Sequence, residues 1–395
     1  MKTTMTTGVR HSVSLAVFLA LLCATGCANF FPPLTSTSGS STTNTGDYAY
    51  VANAYTSSTS GSSIYTITGF SVGTGTLTAL SGSPVTLPVA PATIVVNPAN
   101  SLLYVAGSQV VYGYTIATNG SLTAIDSTTG TPALVNANIV SMVISPDGQW
   151  LLALDANSSL VTIDEYQIAS TGLLTLETGA QYALTSGATI VPSSIAVAPT
   201  GDYVAVSLGT GGDVLFSFNT STGALTEATQ VNVPTTTSAD QALTFDAAGA
   251  TLYVARSGTD GGVVPYIIGS GGGLTAASGA PFALGKGPSS IVIDKTGKYL
   301  YVGNKVDSTI SGFSIGSNAV LTALSGSPYA SGTNVSALAP DNSGDYILST
   351  AIDGNPDLKM YSFDTTTAGK LDASTTATTG DPTEPAGAVA IAMTH

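Results

Sequence analysis

The chain has 395 residues, only 8% of which are charged, and its formal net charge is −14. The sequence contains no basic stripe, which argues against binding to nucleic acid and against electrostatic attachment to anionic lipid. Both cysteines, Cys23 and Cys27, lie near the start of the chain, so we expect no disulfide to stabilise the rest of it.

The first 26 residues have the layout of a signal peptide. Lys2 and Arg10 precede an apolar run over residues 13–22, which is too short for a stable membrane-spanning helix. Small residues then lead to Cys27, and this pattern resembles the lipobox of bacterial lipoproteins, with Ala24 where that motif prefers Leu. The resemblance implies lipid attachment at Cys27 and export to the bacterial cell envelope, on the periplasmic or surface face. Cleavage without lipidation and an uncleaved anchor are the alternatives.

Residues 27–46 form a predicted linker between this segment and the rest of the chain. They are rich in Ser, Thr, Gly and Asn, a composition typical of a flexible tether. We therefore expect a lipid-anchored linker that holds one domain, residues 47–395, away from a membrane.

A segment of eight residues recurs seven times in this domain. It first appears as GDYAYVAN at residues 46–53, and its later copies begin at Asn100, Gly148, Gly201, Gly249, Gly297 and Gly344. The starts are 47 to 54 residues apart. A near-constant period in this range indicates a repeat architecture.

Each repeat has the same predicted order of strands. A short apolar strand, such as residues 94–96, leads through a turn into the recurring anchor strand. A third strand follows, such as residues 110–116, and a Gly then introduces a fourth, as in residues 120–125. The runs are short, rich in β-branched and aromatic residues, and bounded by turn residues. Four strands per repeat predict an all-β, seven-bladed β-propeller with four-stranded antiparallel blades.

The two ends of the domain predict how the ring closes. The ordered part begins with an anchor strand near Asp47, whereas residues 388–393 form a first strand with no repeat of its own. An open ring would leave one apolar blade face uncovered. We therefore expect residues 387–394 to pair with residues 48–53 and complete the blade at the N-terminal end of the domain.

Several motifs resemble those of a known family. The anchor strands at residues 50–53 and 301–304, YVAN and YVGN, resemble the YVTN-type repeat, and a Gly-x-Leu-Thr fourth strand recurs with them. Together they resemble the seven-bladed propellers of the 6-phosphogluconolactonase-like family. The resemblance implies a polar pocket at one mouth of the central channel, where lactonases of the family open a sugar lactone. It also implies Arg-His at the opening of an inner strand and Glu after an anchor-strand Asn.

The chain departs from this pattern at the positions that carry the chemistry. Ser289 and Ser290 stand where Arg-His is expected, and Lys305 follows Asn304 instead of Glu. The only His beyond the signal segment is His395. Lactone opening needs a general base and an electrophile for the developing oxyanion. We therefore assign no catalytic residue, cofactor or metal ligand, and the sequence leaves open whether the protein is an enzyme.

Three charged residues are candidates for contacts with a ligand at the channel mouth. Arg256 ends an anchor strand, and Lys305 and Asp155 occupy nearby positions in other repeats. Arg256 can clamp a carboxylate or phosphate, or it can be a surface residue paired with Asp260 or another carboxylate. Lys305 and Asp155 can line the same mouth, or they can be solvated loop charges.

The sequence therefore predicts an exported, lipid-anchored and monomeric propeller that binds or scaffolds at the cell envelope. Its partner at the channel mouth is a small molecule, a glycan or a protein, and the lipid on Cys27 attaches it to a membrane. One alternative is a 6-phosphogluconolactonase-like hydrolase with Arg256 as anion clamp and an Asp as base. Another is a structural surface protein, because YVTN-type repeats occur in surface layers.

Overall fold

The computed structural model describes residues 46–125, 133–156, 159–183, 189–380 and 387–395. The predictions of a signal peptide, of lipid on Cys27 and of a linker up to residue 45 concern residues outside this set. In the part of the chain that the structure describes, no helix is long and apolar enough to cross a membrane.

Short antiparallel strands make up almost all regular structure in the described residues, with one 3₁₀ turn at Ser317–Ala319. The first three blades contain β1 (Tyr48–Thr56), β2 (Ser63–Gly73), β3 (Thr76–Ala79), β4 (Val85–Thr86), β5 (Pro91–Val96), β6 (Leu102–Ile116), β7 (Leu122–Ala124), β8 (Ala133–Ile144), β9 (Trp150–Asp155), β10 (Val161–Ile168) and β11 (Leu174–Tyr182).

The remaining blades follow in the same order of inner, second, third and outer strand. Blades 4 and 5 contain β12 (Ser194–Val197), β13 (Tyr203–Ser207), β14 (Asp213–Phe218), β15 (Leu225–Val231), β16 (Ala239–Phe245), β17 (Thr251–Ser257), β18 (Gly262–Ile268) and β19 (Leu274–Ala276). Blades 6 and 7 and the closing strand are β20 (Pro288–Ile293), β21 (Tyr299–Asn304), β22 (Thr309–Ile315), β23 (Leu321–Ala323), β24 (Tyr329–Ala330), β25 (Val335–Pro340), β26 (Tyr346–Ala351), β27 (Leu358–Phe363), β28 (Leu371–Ala377) and β29 (Ala388–Met393).

Blades 2 and 3 differ from the predicted pattern of four separate strands per blade. The long strand β6 supplies both the second and the third strand of blade 2, and Gln109 at its corner has a positive φ of 62°. The start of β8 pairs with β6, at Val111↔Ala133, whereas its end pairs with β9 as the inner strand of blade 3. One strand therefore links the sheets of two neighbouring blades.

The C-terminal strand closes the ring as the sequence predicted. Strand β29 pairs antiparallel with β1, from Ala49↔Met393 to Asn53↔Ala388, and so becomes the inner strand of blade 1. The Tyr48 amide donates to the Thr394 hydroxyl at 2.9 Å, and that hydroxyl donates to the Gly46 carbonyl at 2.8 Å.

The core lies between blades rather than inside one central layer. Buried apolar side chains among the described residues form seven clusters, and each cluster joins two consecutive blades. Val51 and Phe70 of blade 1, for example, pack with Leu348 and Met360 of blade 7. Each blade thus covers its neighbours' apolar faces, which is how such a long chain forms one domain.

Candidate functional site at the mouth of the ring

One face of the ring gathers the residues that the sequence singled out. Inner strands begin at this face, second strands end there and third strands begin there; the pairs Asp240↔Arg256 and Arg256↔Gly262 show this arrangement in blade 5. We call it the mouth face. Asp155, Arg256 and Lys305 all lie on it, in blades 3, 5 and 6.

Arg256 is buried and fully engaged by protein groups. Its Nε and Nη2 atoms donate to the two carboxylate oxygens of Asp240 at 2.6 and 2.9 Å, and Nη2 also donates to the Tyr266 hydroxyl at 3.3 Å. Burial lowers the pKa of Arg256, but the bonds to Asp240 outweigh burial and raise it above the usual range. The partner of Arg256 is therefore Asp240 rather than Asp260. Only 4% of Arg256 is exposed, so the pair does not lie on the surface.

A second carboxyl group lies against this ion pair. Asp213 begins β14 in blade 4, is fully buried, and receives no hydrogen bond at either oxygen from a described residue. Burial raises the pKa of Asp213 well above its ordinary value, and the neighbouring Asp240 charge raises it further.

Lys305 lies apart from Arg256, in the loop that follows β21 of blade 6. Its side chain is exposed, and its amide donates to the Gly287 carbonyl at 2.7 Å. The exposed Lys286 lies in the adjacent loop, where its amide donates to Asp307 Oδ2 at 2.7 Å. The two lysines give blade 6 a local positive charge on the mouth face.

Asp155 forms part of a different polar group, in blade 3. It is half-buried, and its Oδ1 atom accepts from the Asn138 amide at 3.0 Å. Burial, followed by the charge of Asp155, raises the pKa of the nearby Asp164. The three candidate residues therefore belong to three separate environments, and their roles as ligand contacts stay predictions.

A pocket, called here the Thr-lined pocket, lies on the mouth face where blade 4 meets blade 5. Its volume is about 480 Å³, and its lining residues come from three loops: Thr189, Thr210, Asn232, Val233, Pro234, Thr235 and Thr236. The Thr210 hydroxyl donates to the Thr189 carbonyl at 3.2 Å, and the Thr235 hydroxyl donates to Asp260 Oδ2 at 3.0 Å. These bonds tie the loops to one another and to blade 5, while no charged side chain lines the pocket.

The described ranges contain no group of three or more His, Cys, Asp or Glu side chains arranged to hold a metal ion. The one described histidine, His395, has its ring against the Val96 carbonyl, at the end of the inner strand β5 and so away from the mouth face. Burial lowers its pKa.

The comparison with known proteins identifies the fold family. Residues 48–384 match the family described as Lactonase, 7-bladed beta-propeller. The chain belongs to this family. No curated protein sequence matches it.

Solved structures with the same fold include other members of the lactonase type. A candidate 6-phosphogluconolactonase from Bacteroides uniformis is 17% identical, with a TM-score of 0.69 over 88% of this chain and 99% of that one. A second candidate, from Bacteroides fragilis, is 18% identical, with a TM-score of 0.65 over 90% and 100%. A periplasmic gluconolactonase from Pseudomonas aeruginosa is 16% identical, with a TM-score of 0.63 over 88% and 99%. At these sequence identities, the structural similarity shows a shared fold.

In this lactonase-family propeller, serines at the openings of the inner strands connect neighbouring blades. Ser289 Oγ donates to the Val335 carbonyl at 2.7 Å, and Ser193 Oγ donates to the Asp240 carbonyl at 3.0 Å. Ser336, at the corresponding place in blade 7, donates to the Ala388 carbonyl at 2.6 Å. Ser290 Oγ accepts from the Leu338 amide at 3.0 Å. The serine hydroxyls at the positions where the resemblance implies Arg-His therefore connect neighbouring inner strands.

Sequence reasoning missed the Thr-lined pocket and the Asp213–Asp240 contact. The pocket combines loops that lie far apart in the sequence, and its only signal was an abundance of Ser and Thr in loops. Asp240 and Arg256 pair across adjacent strands, but Asp213 comes from the preceding repeat, so no local spacing connects the three residues.

Proposed function

We propose that this propeller is an exported, lipid-anchored ligand-binding protein of the cell envelope. The observation that carries the proposal is the engagement of the mouth-face polar groups by the protein itself. Arg256 is held by Asp240, and the hydroxyls of Ser289 and Ser193 are held by neighbouring inner strands. A group already paired and buried is poorly placed to stabilise the charge that develops during lactone opening.

The Thr-lined pocket favours an uncharged ligand rich in hydroxyl groups, such as a neutral glycan. Its lining offers hydroxyl and amide groups beside the apolar Val233 and Pro234. Its volume falls within the range of small-molecule sites, about 300–1,000 Å³. The net charge of −14 disfavours an anionic ligand, and no charged residue in the lining compensates for it. The local basic region of Lys286 and Lys305 lies in another blade.

Binding of neutral oligosaccharides to the purified domain tests this proposal. We expect saturable binding in titration calorimetry with at least one member of a panel of neutral oligosaccharides. Thr236→Trp should abolish it by filling the pocket. Thr275→Trp, a matched change at an exposed position of the outer strand β19, should leave binding unchanged. Absence of binding across the panel, or equal binding by both variants, would contradict the proposed ligand and site.

A second candidate function is hydrolysis of a sugar lactone. It is supported by the family match and by the structural likeness to a periplasmic gluconolactonase. With no histidine on the mouth face among the described residues, the base in this case would be a carboxylate, either Asp155 or the nearby Asp164. Asp164 has a raised pKa, caused first by burial and then by Asp155, and a general base works best near the ambient pH.

A further inference from the structure

The seam between blades 4 and 5 contains two carboxyl groups and one guanidinium group. Asp240 accepts both hydrogen bonds from Arg256, at 2.6 and 2.9 Å. Asp213 faces Asp240 from the preceding blade, and the Asp240 charge acts on its carboxyl group. Both residues are fully buried, and Gly209, four residues before Asp213, forms a β-bridge with Asp240. Neither Asp213 oxygen receives a hydrogen bond from any described residue, although both atoms are buried.

The charges of this cluster balance only if one carboxyl group is neutral. The charged and titratable groups that face Asp213 are Asp240, Arg256 and Tyr266. The single positive charge of Arg256 is directed at Asp240 through two bonds, so an ionised Asp213 would be a buried charge without a partner. Such a charge is strongly disfavoured, and in practice the group takes up a proton instead.

We propose that Asp213 is protonated in the folded protein and donates a hydrogen bond to Asp240, which forms a proton-dependent lock between blades 4 and 5. In this lock the O–H group of Asp213 donates to the Asp240 carboxylate, and the same carboxylate accepts the two N–H groups of Arg256. The proton thus connects the third strand of blade 4 to the inner and second strands of blade 5.

A buried aspartate at the same edge of blade 7 shows what Asp213 lacks. Asp357 directly precedes the third strand β27, and it is also buried. There the Thr379 backbone amide donates to Asp357 Oδ1 at 2.9 Å, and the Thr379 hydroxyl lies 2.5 Å from Oδ2. Blade 4 gives Asp213 no such donor among the described residues, so its contact with Asp240 depends on its own proton.

The lock lies at the base of the loops that form the Thr-lined pocket. Gly209 and Asp240 exchange two backbone hydrogen bonds of 3.0 Å, and Thr210 lies three residues before Asp213. Removal of the proton would place two carboxylates side by side between these segments. We therefore expect the seam under the pocket to loosen as the pH rises. This inference does not depend on the identity of any ligand.

Urea unfolding of the wild type and of Asp213→Asn, measured between pH 5 and 7, tests the lock. A folded-state pKa raised above the unfolded value gives stability that is lost as the pH rises, because the folded state binds more protons. The equilibrium constant for unfolding of the wild type, divided by that of Asp213→Asn, should rise about tenfold per pH unit. The amide introduced by Asp213→Asn can also donate to Asp240, so the variant keeps the hydrogen bond without the titration. Asp202→Asn, an exposed change in the same blade, should retain the wild-type slope. Parallel slopes for wild type and Asp213→Asn would overturn the proposal.

Hydrogen exchange in the wild type provides a test that requires no variant. After correction for intrinsic rates, protection of the Gly209 and Asp240 amides should fall as the pH rises. The Lys305 amide, bonded to Gly287 in blade 6, should keep its protection and serves as the internal reference. Unchanged protection at Gly209 and Asp240 would overturn the lock even if Asp213→Asn failed to fold.

Discussion

Several polar side chains on the mouth face bind other protein groups, and their energetic roles follow from burial. Arg256 and Asp240 form the most buried ion pair of the described residues, with side chains 5% and 0% exposed. The pair need not be a large net source of stability, because burying both charges costs nearly as much as their attraction returns. Removal of one partner, however, leaves an uncompensated buried charge.

We therefore expect Arg256→Met to be strongly destabilising. The free energy of unfolding should fall by about 3–5 kcal/mol, since Asp240 would remain buried without a counter-ion. Urea unfolding at neutral pH measures this, with Lys305→Met as the matched control, because Lys305 is exposed. A change at such a surface position typically stays within about 0.5 kcal/mol. Equal effects of the two substitutions would show that the Arg256 pair is not structural.

Asp47 makes the stability of the seam between blades 7 and 1 sensitive to pH. Burial and the neighbouring Asp341, opposed by the Asn342 amide, raise the pKa of Asp47 to about 6. Because the folded-state pKa lies above the unfolded value, the stabilising contribution is complete at low pH and disappears as the pH rises through about 6.

The free energy of unfolding of the wild type should therefore decline between pH 4 and pH 6 more steeply than that of Asp47→Asn. Urea unfolding at several pH values measures the two slopes. Asp345→Asn removes an exposed carboxylate from the neighbouring turn of blade 7 and should leave the slope as in the wild type. A slope unchanged in Asp47→Asn would contradict the role assigned to Asp47.

At the scale of strands, the sequence predicted much of the fold because each repeat carries local signals. Short runs rich in β-branched residues and bounded by turn residues predicted strands at residues 94–96 and 120–125, and the structure confirms them as β5 and β7. The continuous strand β6 and its pairing with β8 were not predicted, because they depend on register between chain segments rather than on local pattern.

Contacts between strands of different blades could not be read from any single repeat. Ser289 reaches Val335, and Ser193 reaches Asp240, so each bond joins residues about one repeat apart. From the sequence alone, Ser-Ser at a position where the resemblance implies Arg-His therefore indicated only a loss of catalytic groups. In the structure these serines form hydrogen bonds between inner strands of neighbouring blades.

Strand β29 should be essential for the stability of the whole ring. Deletion of residues 387–395 removes the pairing with β1 and exposes apolar side chains of blades 1 and 7, including Val51 and Leu348. We expect a loss of unfolding free energy larger than that of a single large-to-small core substitution, about 2–5 kcal/mol. Thermal unfolding of the truncated domain measures it, and a synthetic peptide of residues 387–395 should partly restore the transition by mass action. A truncated protein that melts like the intact one would contradict closure by β29.

At the scale of the molecule, the proposed anchor determines where the propeller works. The motif at Cys27 predicts a lipid that holds the domain at a membrane. Cys27→Ser should move the protein from the membrane fraction to the soluble fraction, because a serine at this position cannot carry the thioether-linked lipid. Fractionation of cells that express each form measures this. Identical fractionation of wild type and Cys27→Ser would refute lipidation at that residue.

Although the chain belongs to the lactonase family, we propose that its mouth face binds a ligand without catalysing lactone opening. Hydrolysis of gluconolactone and 6-phosphogluconolactone by the purified domain tests it most directly, with the spontaneous rate in buffer as the reference. Loss of a positioned general base typically costs about 10²- to 10⁴-fold in rate. We therefore predict turnover barely above the spontaneous reaction. A large, saturable rate that is abolished by Asp155→Asn would contradict the account and would establish the mouth face as an active site.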